Sequence, residues 1–330
     1  MQHMKLKLAA AITAALLAGS VQAETWEITQ TTTPGAATTM SQDGATAAGS
    51  VQGMNVIKST TATVNQAATG TAQTAAVTGL TTLNQTGTTE NSTQALNYIS
   101  VDTIGATGAF AQSETGTLGA TLNQTATGTG GNTQAVNTAT ATTEITTLTQ
   151  SNGGGPVELN QTAAAVDGIQ AVNNAESAVL GTIDQDVTST TLGLVQTGGS
   201  GKTQAGNRAV SEGAVTEITQ TVTPSGAVTL GQNGTALSTQ AGNLLDLTGS
   251  DGALADGTQE FTATAGVTMT QGTTSAVETS VQAGNATLTG ANNADGNVLV
   301  QSLSAATLAM TQTDATTSIQ AANYLGGLPQ

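Results

Sequence analysis

A tetrad, Gln-Ala-x-Asn, limits what this chain can fold into more than any other feature. It begins at Gln94, Gln134, Gln170, Gln204, Gln240, Gln282 and Gln320, and Gln52-Gly53-Met54-Asn55 is a degenerate first copy. Seven intervals separate Gln52 from Gln320, a mean period of about 38 residues. Self-similarity at such a period marks units too thin to bury a core alone, which stack so that their cores join. The tetrads close on Asn97, Asn137, Asn173, Asn207, Asn243, Asn285 and Asn323.

Two more Gln residues keep phase with the tetrad. One stands shortly upstream, two positions after an apolar side chain: Gln42, Gln85, Gln124, Gln161, Gln196, Gln232, Gln271 and Gln312. The gap runs from 8 residues, as from Gln196 to Gln204, Gln232 to Gln240 and Gln312 to Gln320, to 11 from Gln271 to Gln282. The other stands one strand and turn further back, at Gln30, Gln112, Gln150, Gln185 and Gln220, with looser copies at Gln259 and Gln301. The second repeat departs from this. Its Val64-Asn65-Gln66 lies too far ahead of Gln85, and the extra length predicts a bulge or loop around Gln73.

The unit reads as strand, turn, strand, turn, strand and a longer connection. Pro34-Gly35, Asn152 to Pro156 and Pro224-Ser225-Gly226 supply turn chemistry after the first Gln; Asp43-Gly44, Gly198-Gly199 and Asn233-Gly234 supply it after the second. In 217–223 an Ile218/Gln220/Val222 face alternates with a Glu217/Thr219/Thr221/Thr223 face, and the first is expected inward. Thr makes up 68 of 330 residues while aromatics are 2% and charged residues 8%, so β-branched strand formers stand where a globular core would carry large side chains. Four Pro and sparse charge argue against a disordered chain.

A lone buried Gln leaves two donors and an acceptor to satisfy. Stacked in register about 4.8 Å apart, each amide bonds the copies above and below. The expected fold is therefore all-β: a parallel, amyloid-like β-solenoid of about eight repeats of ~38 residues over 24–330, held by Gln/Asn ladders. For the tetrad Asn the favoured reading is a turn or left-handed residue rather than a recognition group, and for the Thr rows it is solubilising strand surface rather than a ligand surface. A unit forms either one wide three-sided coil or two flattened two-strand coils, for a stack of about 38 or 77 Å. The two-coil form is the expectation, and a fourth strand could lie around Leu244 to Leu247. The repeats run from Trp26 to Tyr324, so both end coils are expected to offer unpaired edges for head-to-tail stacking.

Gln residues paired at the interval of Gln150 to Gln161, the apolar-x-Gln strand and the Asn/Gly turns resemble the curlin repeats of bacterial functional amyloid. The likeness is best over Gln150 to Gln161, Gln185 to Gln196 and Gln220 to Gln232. The curlin placement of Gly, Asn and Ala two, five and seven positions after the first Gln is largely missing, with Ala227 an isolated match. The longer period with three Gln strands is similar to the Fap-type secreted amyloid subunits. The resemblance implies an extracellular, self-assembling fibre subunit of biofilm matrix or surface attachment. Its partner would be a second copy of itself, with a nucleator or secretion pore as a further partner.

Residues 1–23 read as a secretory signal: Lys5 and Lys7, an apolar run from Leu8 to Ala18, and Val21-Gln22-Ala23 before the cut. The processed chain keeps Lys58, Lys202 and Arg208 against 21 carboxylates, a formal net charge of −18, which disfavours nucleic acid and anionic membranes. It has no Cys, and its only His, His3, leaves with the signal. No enzyme activity, cofactor or metal is therefore predicted. The pairs Asp251/Asp256 and Asp184/Asp186 read as solvated loop charges, and Gly128 to Gly131 and Gly198 to Gly201 lack the residues of a phosphate loop. Calcium is the one ligand left open: the oxygen-rich turns Ser250-Asp251-Gly252 with Asp256, and Asn292 to Asn297, suit a hard cation, although neither matches an EF-hand loop or the nonapeptide calcium repeat. The expected function is a structural fibre subunit. The alternatives are a surface-layer or adhesin solenoid and, less favoured, an ice-binding Thr array such as Thr29/Thr31/Thr33.

Overall fold

The computed structural model describes residues 24–329 except 44–48, 67–71, 88–90, 106, 117–118, 126–130, 163–166, 249–253 and 291–296. The expected signal segment, Asp251 and most of the 292–297 turn lie outside the described residues. Among the described residues every regular element is a strand and every pairing is parallel. The chain is a parallel β-solenoid with buried Gln/Asn ladders.

One coil can be followed from Gln185. The first strand ends the long Ile169–Ser189 segment, Leu192–Thr197 is the second, and Thr203–Ser211 is the third. Each pairs with its copy in the next coil: Gln185 with Gln220, Gln196 with Gln232, Gln204 with Gln240, Asn207 with Asn243. A third strand and the following first strand can be continuous, as in Thr133–Asn152, where a register shift between Ala141 and Glu144 turns the corner.

Partners along every ladder are 34 to 43 residues apart, a whole repeat. Each repeat is thus one three-sided coil, and the two-coil expectation is wrong. The reason lies in the third strand, which binds both others: Gln170 Nε2 donates to the carbonyl of Asn160 on the second strand, and Asn173 Nδ2 to that of Asp186 on the first. Neither can leave to pair elsewhere. Eight rungs joined by seven turns give a stack of about 34 Å at ordinary strand spacing. The segment Leu244 to Leu247 is the tail of the third strand Thr239–Leu247, so the fourth strand does not exist as a separate element.

Alternation sets the inward faces. Ile218, Gln220 and Val222 are buried, while Glu217 and the intervening Thr residues face out. Two apolar columns run the length of the stack. One joins Leu83, Leu122, Leu159, Leu194 and Leu230 of the second strands to Leu96, Val136 and Val172 of the tetrads. The other joins Phe110, Leu148, Ile183 and Ile218 of the first strands to the third-strand tails at Ile99, Ala139, Ala175 and Leu245.

The variable residue of the tetrad is fixed by packing. In the later coils it is Gly206, Gly242 and Gly284, facing Val222, Phe261 and Leu303. A Cβ on Gly242 would lie 2.2 Å from the Phe261 ring, and one on Gly284 2.2 Å from Leu303. In earlier coils it is Leu96, Val136 or Val172, and the column that continues to Phe261 and Leu303 carries the smaller or polar Thr32, Ala75, Glu114 and Asn152. Volume is traded between the facing positions toward either end of the axis, while the middle coil sets Val172 against Val187, two side chains of equal size; both arrangements fill the space a close-packed core must fill.

Candidate functional site

The chemistry of the molecule is concentrated in four amide columns. Each Gln of the first strand is stacked on the next from Gln30 through Gln73 and Gln112 to Gln301, at 2.7–2.9 Å. The second-strand column runs from Gln42 to Gln312 at 2.8–3.0 Å. The tetrad Gln column runs from Gln52 to Gln320 at 2.7–2.9 Å. The tetrad Asn residues lie within strands, not in turns, and form a fourth column from Asn55 to Asn323 at 2.7–2.9 Å.

Every Gln and Asn position that the three-Gln phase and the tetrad single out stands in these columns. The looser Gln259 and the degenerate Asn55 are included, and the structure adds Gln73. Gln73 is not in a loop. It is fully buried between Gln30 and Gln112, and the extra length of that repeat falls between Gln66 and Gln73. The signal that finds it is distance: Gln73 precedes Gln85 by the same interval that separates Gln112 from Gln124, whereas the apolar-x-Gln rule selects Gln66.

The columns are polar along the axis. In all three Gln columns the Nε2 of each copy donates to the Oε1 of the copy one coil nearer the N-terminus. In the Asn column Nδ2 donates the opposite way, toward the C-terminal coil. The nitrogen also donates to main-chain carbonyls, as Gln185 does to Arg208 and Asn207 to Thr221, which fixes which amide atom is nitrogen. Aligned amides polarise one another, so an unbroken column is stronger than its separate bonds.

The two ends differ. At the N-terminal end Gln42 is 8% exposed and its Nε2 donates to the carbonyl and hydroxyl of Ser50; Asn55 is 3% exposed and its Oδ1 accepts from Thr32 Oγ1 at 2.7 Å. At the C-terminal end Gln312 and Asn323 are exposed. Among the described residues nothing donates to Oε1 of Gln301, Gln312 or Gln320, and Asn323 Nδ2 meets no acceptor. Apolar residues are also bared at the ends: Trp26 is 52% exposed and Leu325 61%, with Leu308 and Met310 bared on the last coil as well.

Three charged side chains among the described residues, Lys202, Arg208 and Glu114, are placed unlike surface charges. Lys202 is fully buried where other repeats carry Ser238 or Ser280, and its Nζ donates to the carbonyls of Thr162 and Thr197; burial pushes its pKa down to about 8. Arg208 is buried beside Asn174 and pairs with Glu176 at 3.2 Å. Glu114 is the one buried carboxylate among the described residues. Burial pushes its pKa up to about 7, against the opposing pull of the Gly116 backbone N–H. Asp184 and Asp186 point outward from a strand, not from a loop, and partial burial raises both.

The outward Thr31, Thr74 and Thr221 column is interrupted by Asp186 and Glu260, so it is no continuous hydroxyl array. Among the described residues no group of three or more acidic, His or Cys side chains is gathered as a metal site, and Asn297 Oδ1 is taken by the backbone N–H of Leu254. No helix among them is long and apolar enough to cross a membrane. Comparison with known protein families, characterised proteins and solved structures finds no match for this chain.

Proposed function

We propose that the chain is an extracellular structural fibre subunit that assembles with copies of itself, in a biofilm matrix or at an attachment surface. The observation that carries this reading is the pair of end coils. Their strands are paired on one side only among the described residues, and they cut through four amide columns and two apolar columns that elsewhere find partners on both sides. An unpaired, in-register parallel edge is a template for a further strand of the same pattern. The signal-like N-terminus and the strong negative charge fit a secreted, soluble precursor, and the absence of His and Cys after residue 23 fits a role without covalent catalysis.

The test is electron microscopy of the secreted chain with an amyloid-binding dye. Dye-positive unbranched fibres are expected. Two-dimensional sheets would favour the surface-layer reading instead, and a chain that stays monomeric at high concentration for days would contradict self-assembly.

A further inference from the structure

We propose that the polarity of the amide columns makes the two ends complementary halves of one docking surface, on which a second copy seats its N-terminal coil against the C-terminal coil in a single orientation and a single rotational setting. This rests on the self-assembly reading and adds to it what selects the contact. Each Gln column ends at the C-terminal coil on an Oε1 awaiting a donor and begins at the N-terminal coil on a Gln whose Oε1 is already taken by its own stack, leaving Nε2 to donate outward. Gln30, Gln42 and Gln52 of an incoming copy therefore supply what Gln301, Gln312 and Gln320 lack. Meeting end to like end sets donors against donors or acceptors against acceptors, and leaves each buried polar group unsatisfied.

The Asn column is the key to rotation. Because it runs the other way, Asn323 offers a donor at an end where the Gln residues offer acceptors, and only Asn55 Oδ1 is placed to accept it. A copy turned by one face leaves Asn323 without its acceptor. Ser50 Oγ and Thr32 Oγ1 occupy the N-terminal amides meanwhile, and both are hydroxyls that rotate away when an amide arrives. The apolar columns agree with the same seating, since Met310 continues the column of Met40 and Leu325 that of Ile57.

Disulfide trapping tests the setting, because the chain has no Cys of its own. Ser41 and Thr311 are exposed and belong to one outward column. The proposed seating brings Ser41 of one copy about 4.8 Å from Thr311 of the next, within disulfide reach. With Ser41→Cys and Thr311→Cys chains assembled together and oxidised, cross-linked dimers are expected in the mixture and not in either variant alone. Thr311→Cys mixed with Thr29→Cys, the exposed pair that a seating rotated to put Gln30 on Gln312 would bring together, is expected to stay unlinked.

Homodimers of either variant, a Thr29 link, or fibres with no cross-link overturn the inference while leaving self-assembly standing. Failure of the unmodified chain to form fibres overturns both.

Discussion

The first and last coils are cut from one pattern and treat their amides differently. At the N-terminal end Gln42 and Asn55 are buried and capped by Ser50 and Thr32 of the same coil; at the C-terminal end Gln312 and Asn323, their equivalents, are exposed and half their bonding capacity is unused. In the middle, Gln161 and Gln204 are fully buried with partners on both sides. The same residue at the same strand position is therefore a core element or a bare polar group according to whether a neighbouring coil exists. Stability resides in the stacking, and the C-terminal end is the less closed of the two.

That contrast is sharpest for an interior rung against an end rung. Gln170→Leu removes an amide that bonds Gln134, Gln204 and the carbonyls of Leu122 and Asn160, and is expected to cost about 4 kcal/mol from several buried groups left unpaired. Gln312→Leu at the exposed end is expected to cost under about 1 kcal/mol. Denaturant midpoints of the two monomeric variants compare them directly.

Glu114 makes the N-terminal half sensitive to pH. Its folded pKa of about 7 lies above the ordinary 4.5, so the stability it contributes is present below pH 4.5 and is lost as pH rises through about 7. Glu114→Gln is expected to remove this slope and to stabilise the chain at pH 8 by up to about 3 kcal/mol, read from melting temperature against pH.

In the C-terminal half the sensitive feature is volume. Gly242→Ala is expected to cost about 2 kcal/mol, read from the denaturant midpoint, because its Cβ would overlap the Phe261 ring and crowd the Gly284 carbonyl. The smallest effect is expected at the N-terminal cap. Thr32→Val removes the hydroxyl over Asn55 and should change the unfolding midpoint by about 0.5–1 kcal/mol without slowing fibre growth, because the docking copy replaces that bond.

The ladders were legible because an amide that must bond its own copy has to recur at fixed phase, and spacing alone reveals phase. Gln259 follows Gly257 rather than an apolar residue and still holds its rung, because distance to Gln271 and not the local motif sets it. The coil count was not legible, since one wide coil and two narrow ones share the same period; what decides it is the Gln170 and Asn173 bonds from one strand to two others. Column polarity depends on how each amide plane is turned, which no sequence records. Glu114 stands beside Ser113 near a turn, with nothing local to mark it as interior; its burial follows from the register that places it between Ala75 and Asn152.

Hydrogen exchange at the Gln and Asn side-chain amides, followed by NMR in the monomer and in the assembled state, tests the stacked columns most directly. Slow exchange is predicted at interior rungs such as Gln161 and Gln204 in both states, and at Asn323, whose Nδ2 has no acceptor in the free coil, only after assembly. Solvent-rate exchange at the interior rungs, or exchange at Asn323 that assembly leaves unchanged, would contradict it.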